Sequence, residues 1–301
     1  MILARLKSLL QDPPPEFVFE IAADGVAMSR TRPPATIREV ALARGVLDPS
    51  PVKDNIHDPA AFAEAVANLV PAGGGRGRRT ATLILPDNSI RVAVLDFDSL
   101  PAKEEERLAL IKFRLRKTLP FDIDEAALSY HVQAAGKVIA AVAPVEIVAR
   151  YEAPFRALNF QPGLVTSSSL AMLDLLPAAG SILVAHRSPG ALTVSALRNG
   201  ALSLVRSLEL GDHETDPLAE VSADLYPTLI YIEDQTGERP EKLILAGFGA
   251  ESNASATRLA AELDIHIESI DDPHPGLSGY LKSLTPAATG HSVKAAKKAA
   301  A

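Results

Sequence analysis

The seven histidines could bind a metal only if their spacing brought several of them together. They are scattered along the chain as His57, His131, His186, His213, His266, His274 and His291. No pair has the i, i+4 spacing of a zinc site on a helix. Cysteine is absent, which excludes thiolate metal sites, disulfide scaffolds and thiol nucleophiles. We therefore predict that the protein has no metal site.

Common catalytic motifs are also missing. The glycine-rich stretch from Gly73 to Thr80 lacks the Gly-Lys-Ser/Thr ending of a phosphate-binding P-loop, and it precedes a predicted strand instead of a helix. No Gly-x-Ser-x-Gly motif occurs. Asp96 and Asp98 face the same way at a strand end, with no general-base signature nearby. These observations predict a flexible loop and a polar strand end in place of an active site.

Composition narrows the class of protein. Hydrophobic residues make up 47% of the 301 residues and charged residues 22%, a balance typical of globular proteins. The net charge of −7 argues against a general nucleic-acid binder. The most apolar stretch, Val138 to Ala149, is interrupted by Pro144 and Glu146 and is too short to span a bilayer. Because a secretory signal is also missing, we predict a cytoplasmic protein.

Both ends of the chain differ from the rest. Residues 1–15 have apolar side chains on one helical face, which predicts a short amphipathic helix ending at Pro13. Two interpretations stay open: the helix packs on its own domain, or it makes a weak contact with a membrane surface. After Thr285 the sequence consists mainly of Ala, Thr and Lys without apolar periodicity, which predicts a disordered tail over 285–301.

The remaining sequence predicts alternating strands and helices, arranged in two similar halves. Each half begins with a strand-turn-strand unit, the second with a tight turn at Arg198-Asn199-Gly200. The predicted strands are Phe17–Ile21, Gly25–Ser29, Val40–Val46, Thr80–Leu85, Arg91–Phe97, Leu128–Gln133, Lys137–Val142, Ser181–Ala185, Ala191–Leu197, Ala201–Leu208, Glu241–Ala246 and Ile265–Ser269. The predicted helices are Pro59–Val70, with Asp58 as N-cap, and Pro101–Lys117, Val145–Leu158, Leu218–Ile232 and Ala254–Leu263.

The block from Leu83 to Asp174 resembles the central part of PilM, an actin-like pilus-assembly protein related to FtsA. In that family a proline-containing strand pair precedes a long helix that leads into a Pro-Phe element. Here these features correspond to Leu85-Pro86, Pro101 to Lys117 and Leu119-Pro120-Phe121. The ordered series of elements resembles the family from about Phe17 to Leu284.

The resemblance implies an α/β fold of the actin-like (ribonuclease H-like) type, with two domains and an inserted SHS2-type subdomain. Between Gly211 and Leu243 the family usually has a larger subdomain, whereas one helix fits here, so we expect a reduced second domain and fewer contacts for polymerisation. The implied division is a short N-terminal helix (1–15), a first domain (16–82 and 161–178), the inserted subdomain (83–160), a second domain (179–284) and the tail (285–301).

The resemblance also implies a cleft that holds ATP and Mg²⁺ through three turns. The first turn runs from Glu20 to Gly25, and the family's Asp and Gly are replaced by Glu20 and Ala22, with Asp24 and Gly25 following. Carboxylates in such turns bind Mg²⁺ and orient water, and glycine lets a phosphate approach the backbone. The replacements therefore predict a degenerate first turn.

The other two turns depart from the family in the same way. In the second turn Ala185 stands where the family has Asp, Arg187 stands where it has Gly, and Gly190 follows. In the third turn Phe248 separates Gly247 from Gly249. Loss of two charge-assisted hydrogen bonds to the nucleotide would weaken ATP binding by about 10²–10⁴-fold. We therefore predict a protein that is not an enzyme and needs no cofactor.

The resemblance implies a non-catalytic adaptor of a type IV pilus or a related envelope assembly machine. Its partner would be the cytosolic N-terminal tail of a PilN-like inner-membrane protein, which would hold it at the periphery of that membrane. An extended peptide would add to an edge strand between the first domain and the inserted subdomain. Two alternatives stay open: an ATP-binding switch or ATPase of the same fold, and a protein like the GspL cytoplasmic domain of type II secretion.

Overall fold

The computed structural model describes residues 14–32, 36–70, 79–210 and 217–285. The predicted N-terminal helix, the glycine-rich loop and the predicted tail lie outside these residues except at their ends. Three β-sheets and seven α-helices make up the described part of the chain.

The first sheet has the strand order β3-β2-β1-β4-β8. Its strands are β1 (Phe17–Ala22), β2 (Gly25–Arg30), β3 (Arg38–Ala41), β4 (Arg79–Leu85) and β8 (Phe160–Ser167). The central strand β1 is an almost continuous apolar run because both of its faces are covered. β3 begins and ends earlier than the predicted strand Val40–Val46, since the chain turns at Gly45, whose φ is +86°.

Helices cover the two faces of the first sheet. On one face lie α1 (Pro59–Leu69) and α3 (Val145–Ala157), and the phenylalanine rings of Phe19, Phe155 and Phe160 meet edge to face in this core. On the other face lie the short α4 (Ser168–Ala171) and α7 (Pro275–Leu284), where Leu277 is buried beside Val18 and Ile84. The predicted N-cap of α1 is confirmed, because Asp58 Oδ1 accepts hydrogen bonds from the N–H groups of Ala60 and Ala61.

The inserted sheet lies between β4 and β8 along the chain and has the order β5-β7-β6. Its strands are β5 (Arg91–Asp96), β6 (Ala126–Val132) and β7 (Lys137–Pro144). Helix α2 (Glu104–Leu115) packs on it through Ile111 and Leu115. This helix is shorter at both ends than the predicted range of Pro101 to Lys117.

The second sheet repeats the topology of the first, with the order β11-β10-β9-β12-β13. Its strands are β9 (Ser181–Ser188), β10 (Ala191–Arg198), β11 (Ala201–Glu209), β12 (Lys242–Ala246) and β13 (His266–Ile270). In each sheet three antiparallel strands are followed by two parallel ones, so the two similar halves are present. The predicted tight turn is confirmed, since Asn199 and Gly200 both have positive φ, as the hairpin turn requires.

Helices α5 (Pro217–Thr236) and α6 (Ser252–Leu263) pack on the second sheet through Val221, Leu225 and Leu259. Within the described residues, α5 is the one α-helix between β11 and β12. None of the helices in the described part of the chain is both long and apolar enough to span a membrane.

The inserted sheet contacts the second sheet as well as the first. The side-chain N–H of Gln133 donates to the Leu202 carbonyl at 2.8 Å, and its side-chain oxygen accepts from the Leu202 N–H at 3.0 Å. The amide thus pairs with Leu202 in the way that the backbone of a neighbouring strand does. Val94 and Ile139 pack against the apolar cluster that contains Val184 and Ile244. The boundaries of the implied domains stay a prediction.

Candidate functional site

The candidate site is a cleft of about 390 Å³ between the first and second sheets. The β1–β2 hairpin forms one wall and the end of β9 the other, with the segment before α7 at the mouth. The lining carries four acidic side chains, two histidines and one arginine: Glu20, Asp24, Glu39, Asp87, His186, His274 and Arg187.

Glu20 lies on β1 and is buried, with both carboxylate oxygens bonded to protein groups. Oε1 accepts a hydrogen bond from the Ser168 hydroxyl at 2.5 Å, and Oε2 accepts one from the Leu277 N–H at 2.8 Å. Leu277 is the third residue of α7, so Glu20 satisfies an N–H group that the first turn of this helix leaves free. Burial raises the pKa of Glu20, although the bonds from Ser168 and Leu277 oppose the shift.

Gly276 makes this contact between β1 and α7 possible. A Cβ atom at position 276 would lie 2.5 Å from Glu20 Oε1 and 2.6 Å from the Ser168 hydroxyl oxygen. The first turn of α7 therefore sits directly on the carboxylate. Glu20, Ser168 and Gly276 form one packed polar contact.

Asp87 and His186 form a buried pair that crosses the cleft. Asp87 follows β4 of the first sheet and His186 lies on β9 of the second, with 3.0 Å between Asp87 Oδ2 and His186 Nδ1. The other oxygen, Asp87 Oδ1, accepts a hydrogen bond from the Ser169 N–H at 2.8 Å. We call Asp87 and His186 the cross-cleft pair.

Each member of the cross-cleft pair favours the charged form of the other. Burial by itself raises the pKa of Asp87, but the hydrogen bond and charge of His186 outweigh it and lower that pKa. Burial by itself lowers the pKa of His186, but the hydrogen bond and charge of Asp87 raise it above its ordinary value, with a smaller contribution from Glu20. The geometry of the pair thus favours an aspartate beside an imidazolium.

A second buried network fixes the turn that carries Asp87. The Ser89 hydroxyl donates to Asn55 Oδ1 at 2.6 Å and lies 3.1 Å from the Tyr151 hydroxyl. The Asn55 side-chain amide in turn donates to the carbonyls of Ser50 and Lys53. Because residues 87–89 form one 3₁₀ turn, holding Ser89 also orients Asp87 toward His186.

On the opposite wall, Arg187 is bound by protein groups as well. Its Nη1 lies 3.1 Å from Glu251 Oε2, and its guanidinium is 5.8 Å from the centroid of the Phe248 ring. Gly247 has a φ of +76°, and a Cβ atom there would overlap the Arg187 carbonyl oxygen. This glycine is therefore required for the close approach of the β12 end to β9.

Five of the eight predicted site residues line the cleft: Glu20, Ala22, Asp24, Gly25 and Gly247. The other three, Ala185, Gly190 and Gly249, are not among the described residues that line it. Ala185 is buried in the core between the second sheet and its helices, because side chains alternate along a strand and the next residue, His186, faces the cleft. The cleft-facing polar side chain of β9 is therefore His186, one residue after the predicted site residue Ala185.

Sequence reasoning missed Asp87, Ser168 and His186 as site residues. Asp87 lies two residues after the end of the buried parallel strand β4, and such strand ends are where α/β proteins place polar site residues, so a signal was available. His186 and Ser168 gave no such signal, because their neighbours come from distant parts of the chain. Their separations from Asp87 and Glu20 along the sequence are 99 and 148 residues.

The residues present do not fit Mg²⁺ and ATP well. Glu20 and Asp87 already accept hydrogen bonds at both oxygens, and Arg187 is paired with Glu251. The described residues contain no group of three His, Cys, Asp or Glu side chains that could hold a metal ion. In this cleft Glu20 joins β1 to α7, and Asp87 with His186 joins the first sheet to the second.

Comparison with solved structures finds the same architecture elsewhere. A chain of a structure described as the PilM–PilN type IV pilus biogenesis complex has a TM-score of 0.69 and 20% identity, covering 88% of this chain and 90% of that one. A Bacteroides thetaiotaomicron protein with an actin-like ATPase fold and unknown function has a TM-score of 0.53 and 13% identity, covering 88% and 94%.

A third similar structure is the cytoplasmic domain of EpsL, an inner-membrane component of the type II secretion system of Vibrio cholerae. Its TM-score is 0.50 at 10% identity, covering 76% of this chain and 80% of that one. No protein-family model and no curated protein matches the sequence. The chain therefore has the actin-like ATPase fold, and its predicted resemblance to PilM is confirmed at the level of the fold.

Proposed function

We propose that this protein is a non-catalytic adaptor of a type IV pilus or a related envelope assembly machine. In this proposal it works in the cytoplasm and is held at the inner membrane by the cytosolic N-terminal tail of a PilN-like protein. The proposal that the protein is non-catalytic rests on one observation: the buried charged side chains of the cleft are hydrogen-bonded to protein groups.

Nucleotide hydrolysis in this class of fold needs carboxylates that are free to hold Mg²⁺ and to orient water. In this cleft, recruiting Asp87 for that purpose would leave His186 buried without its partner. Recruiting Glu20 would leave the N-terminal turn of α7 without an acceptor. Each exchange costs the desolvation free energy of a buried polar or charged group, which opposes hydrolysis.

The proposed partner follows from the architecture shared with the PilM–PilN complex. The proposed binding place is the groove between the first sheet and the inserted subdomain, where β8 forms the sheet edge and Leu164 is 40% exposed. An extended peptide can add main-chain hydrogen bonds to such an edge and place an apolar side chain beside Leu164. This mode of binding needs no catalytic residue.

Calorimetric titration with the tail peptide of a PilN-like protein tests the proposal. We expect saturable binding to the wild type and about tenfold weaker binding to Leu164→Ser, because an apolar contact in the groove is lost. The control is Phe113→Ser, which removes an apolar side chain that is 59% exposed from α2. Absence of saturable binding to the wild type would contradict the adaptor function.

The alternative, an ATP-binding switch or ATPase, is favoured by the persistence of a cleft lined by Asp24, Gly25 and Gly247. It predicts a rise in melting temperature with millimolar Mg-ATP, because a ligand that binds the folded state stabilises it. The adaptor proposal predicts no shift. The other alternative, a protein like the GspL cytoplasmic domain, is tested by titrating tail peptides from type IV pilus and type II secretion machines in parallel. Tighter binding of the secretion-system peptide would favour that alternative.

A further inference from the structure

Helix α5 uses one face for the core of the second sheet and leaves large apolar side chains on the opposite face. Val221, Leu225 and Leu229 are buried against the sheet. On the outer side, Tyr226, Ile230 and Tyr231 are 55%, 42% and 52% exposed. We call these three residues the α5 outer face. Tyr226 and Ile230 are four residues apart and therefore neighbours on the helix surface, and Tyr231 follows Ile230 on the same exposed side of α5.

The charges of α5 all have one sign. The helix contains Glu220, Asp224, Glu233 and Asp234, and no Lys or Arg between residues 217 and 236. Glu233 and Asp234 lie two and three residues after Tyr231 and are exposed. A surface of two tyrosines and an isoleucine bordered by carboxylates is complementary to a segment that combines cations with apolar side chains.

We propose that the α5 outer face binds a lysine- or arginine-rich segment with apolar residues, from a partner protein. The choice of partner rests on the proposed function, because cytosolic segments next to a membrane span are enriched in Lys and Arg. Ammonium or guanidinium groups pair with Glu233 and Asp234 and lie over the two tyrosine rings, and an apolar side chain of the segment covers Ile230.

A second copy of this chain is the main competing occupant, since α2 ends in basic residues and carries the exposed Phe113. The cations there are already engaged by the copy's own groups. Lys112 and Arg116 both pair with Asp124. Arg114 lies over the Phe97 ring at 5.5 Å, and Lys117 lies over the Phe113 ring at 5.6 Å. A separate basic segment therefore fits the α5 outer face better.

The probe for the test is a synthetic helical peptide of lysine, leucine and one tryptophan. The protein contains no tryptophan, so the indole fluorescence reports on the peptide alone. We expect binding that weakens with salt, and an all-glutamate version of the peptide that does not bind. The triple substitution Tyr226→Ser, Ile230→Ser and Tyr231→Ser should weaken binding at least about thirtyfold.

Two further variants separate this surface from general attraction to an acidic protein. Glu233→Lys with Asp234→Lys keeps the apolar side chains and should weaken binding by about tenfold or more while flattening the salt dependence. Phe113→Ser should bind like the wild type. Equal peptide binding by the wild type, the triple variant and the charge-reversed variant, or no binding at all, would overturn the proposal.

The same variants distinguish failure of this inference from failure of the adaptor function. If the PilN-like tail binds and Leu164→Ser weakens it while the lysine–leucine peptide does not bind, the α5 inference fails alone. If the peptide binds through α5 but no tail binds, the adaptor function fails alone. The last experiment is sedimentation velocity at increasing protein concentration, which detects self-association. Self-association that Phe113→Ser abolishes would show that a second copy of the chain, and not a basic segment, occupies the α5 outer face, and would overturn the proposal.

Discussion

At the scale of single residues, Gly247 has a packing role that would require glycine even without a nucleotide. Its φ is +76°, and the Cβ of any other residue would overlap the Arg187 carbonyl oxygen. Gly190 has the same φ of +76° but no atom within 4 Å of the position its Cβ would take. Substitution of Gly190 therefore measures the cost of the positive φ alone, whereas substitution of Gly247 adds the cost of the steric overlap.

We expect Gly190→Ala to lower the free energy of unfolding by about 1 kcal/mol, the usual cost of a positive φ for alanine. Gly247→Ala should lower it by about 3 kcal/mol or more, because the steric overlap with the backbone is added. Urea unfolding of both variants measures the difference. Equal losses in the two variants would contradict the packing role of Gly247.

At the scale of secondary-structure elements, the position of α7 depends on a side chain from β1. Glu20 accepts the Leu277 N–H, and Gly276 lies against the same carboxylate. The predicted list of helices omitted α7, because the segment 275–284 contains two glycines and has no side-chain N-cap of its own. An acceptor from another strand replaces that cap.

We expect Glu20→Ala to loosen α7 while the sheets stay folded. Removing a carboxylate that accepts two hydrogen bonds costs about 2 kcal/mol, so hydrogen exchange over residues 275–284 should speed up by about tenfold or more. Glu39→Ala is the control, since its carboxylate is 69% exposed and bonds His274, just before α7. Surface pairs contribute little, so exchange in that variant should stay close to wild type.

At the scale of the whole molecule, the first and second sheets are joined through the cleft by buried groups. The cross-cleft pair connects β4 to β9, and Gln133 connects the inserted sheet to β11. An actin-like fold that cycles with nucleotide must let its halves move. Here any opening at the cleft separates two buried charges, so we expect a cleft that stays closed.

The cross-cleft pair predicts how stability depends on pH. Because the pKa of His186 is raised in the folded state, its contribution is present at low pH and is lost as pH rises through that raised value. Because the pKa of Asp87 is lowered, its contribution is present at neutral pH and is lost as pH falls through that lowered value. Stability from this pair is therefore greatest between the ordinary pKa of aspartate and the ordinary pKa of histidine.

We expect Asp87→Asn to lower the free energy of unfolding by about 3 kcal/mol near neutral pH, because it leaves a buried histidine without its charge partner. As pH rises through the raised pKa of His186, the wild type should lose stability more steeply than this variant, because the variant lacks the charge partner that raises that pKa. Urea unfolding across a pH series provides the measurement. His131→Gln changes an exposed histidine on β6 and should keep the wild-type profile. If Asp87→Asn had the same dependence of stability on pH as the wild type, the cross-cleft pair would not stabilise the contact between the two sheets.

Local patterns in the sequence were sufficient for most of the elements. The alternation in Ala191–Leu197 and Ala201–Leu208, with Asn199-Gly200 between them, specifies a hairpin because few backbones other than a tight turn accept two positive φ values. Asp58 before Pro59 specifies a helix start through a bond made within three residues. Such signals depend on neighbours in the chain, so they can be read without the fold.

What the sequence determined by itself was the order of elements and the duplicated layout. The tertiary structure decided which charged groups face the cleft and what they bind. Asp87 meets His186, and Glu20 meets Leu277, across 99 and 257 residues of chain. The orientation of a side chain on a strand, inward for Ala185 and toward the cleft for His186, follows from packing of the whole sheet, and pairs formed across such distances leave no periodic pattern in the sequence.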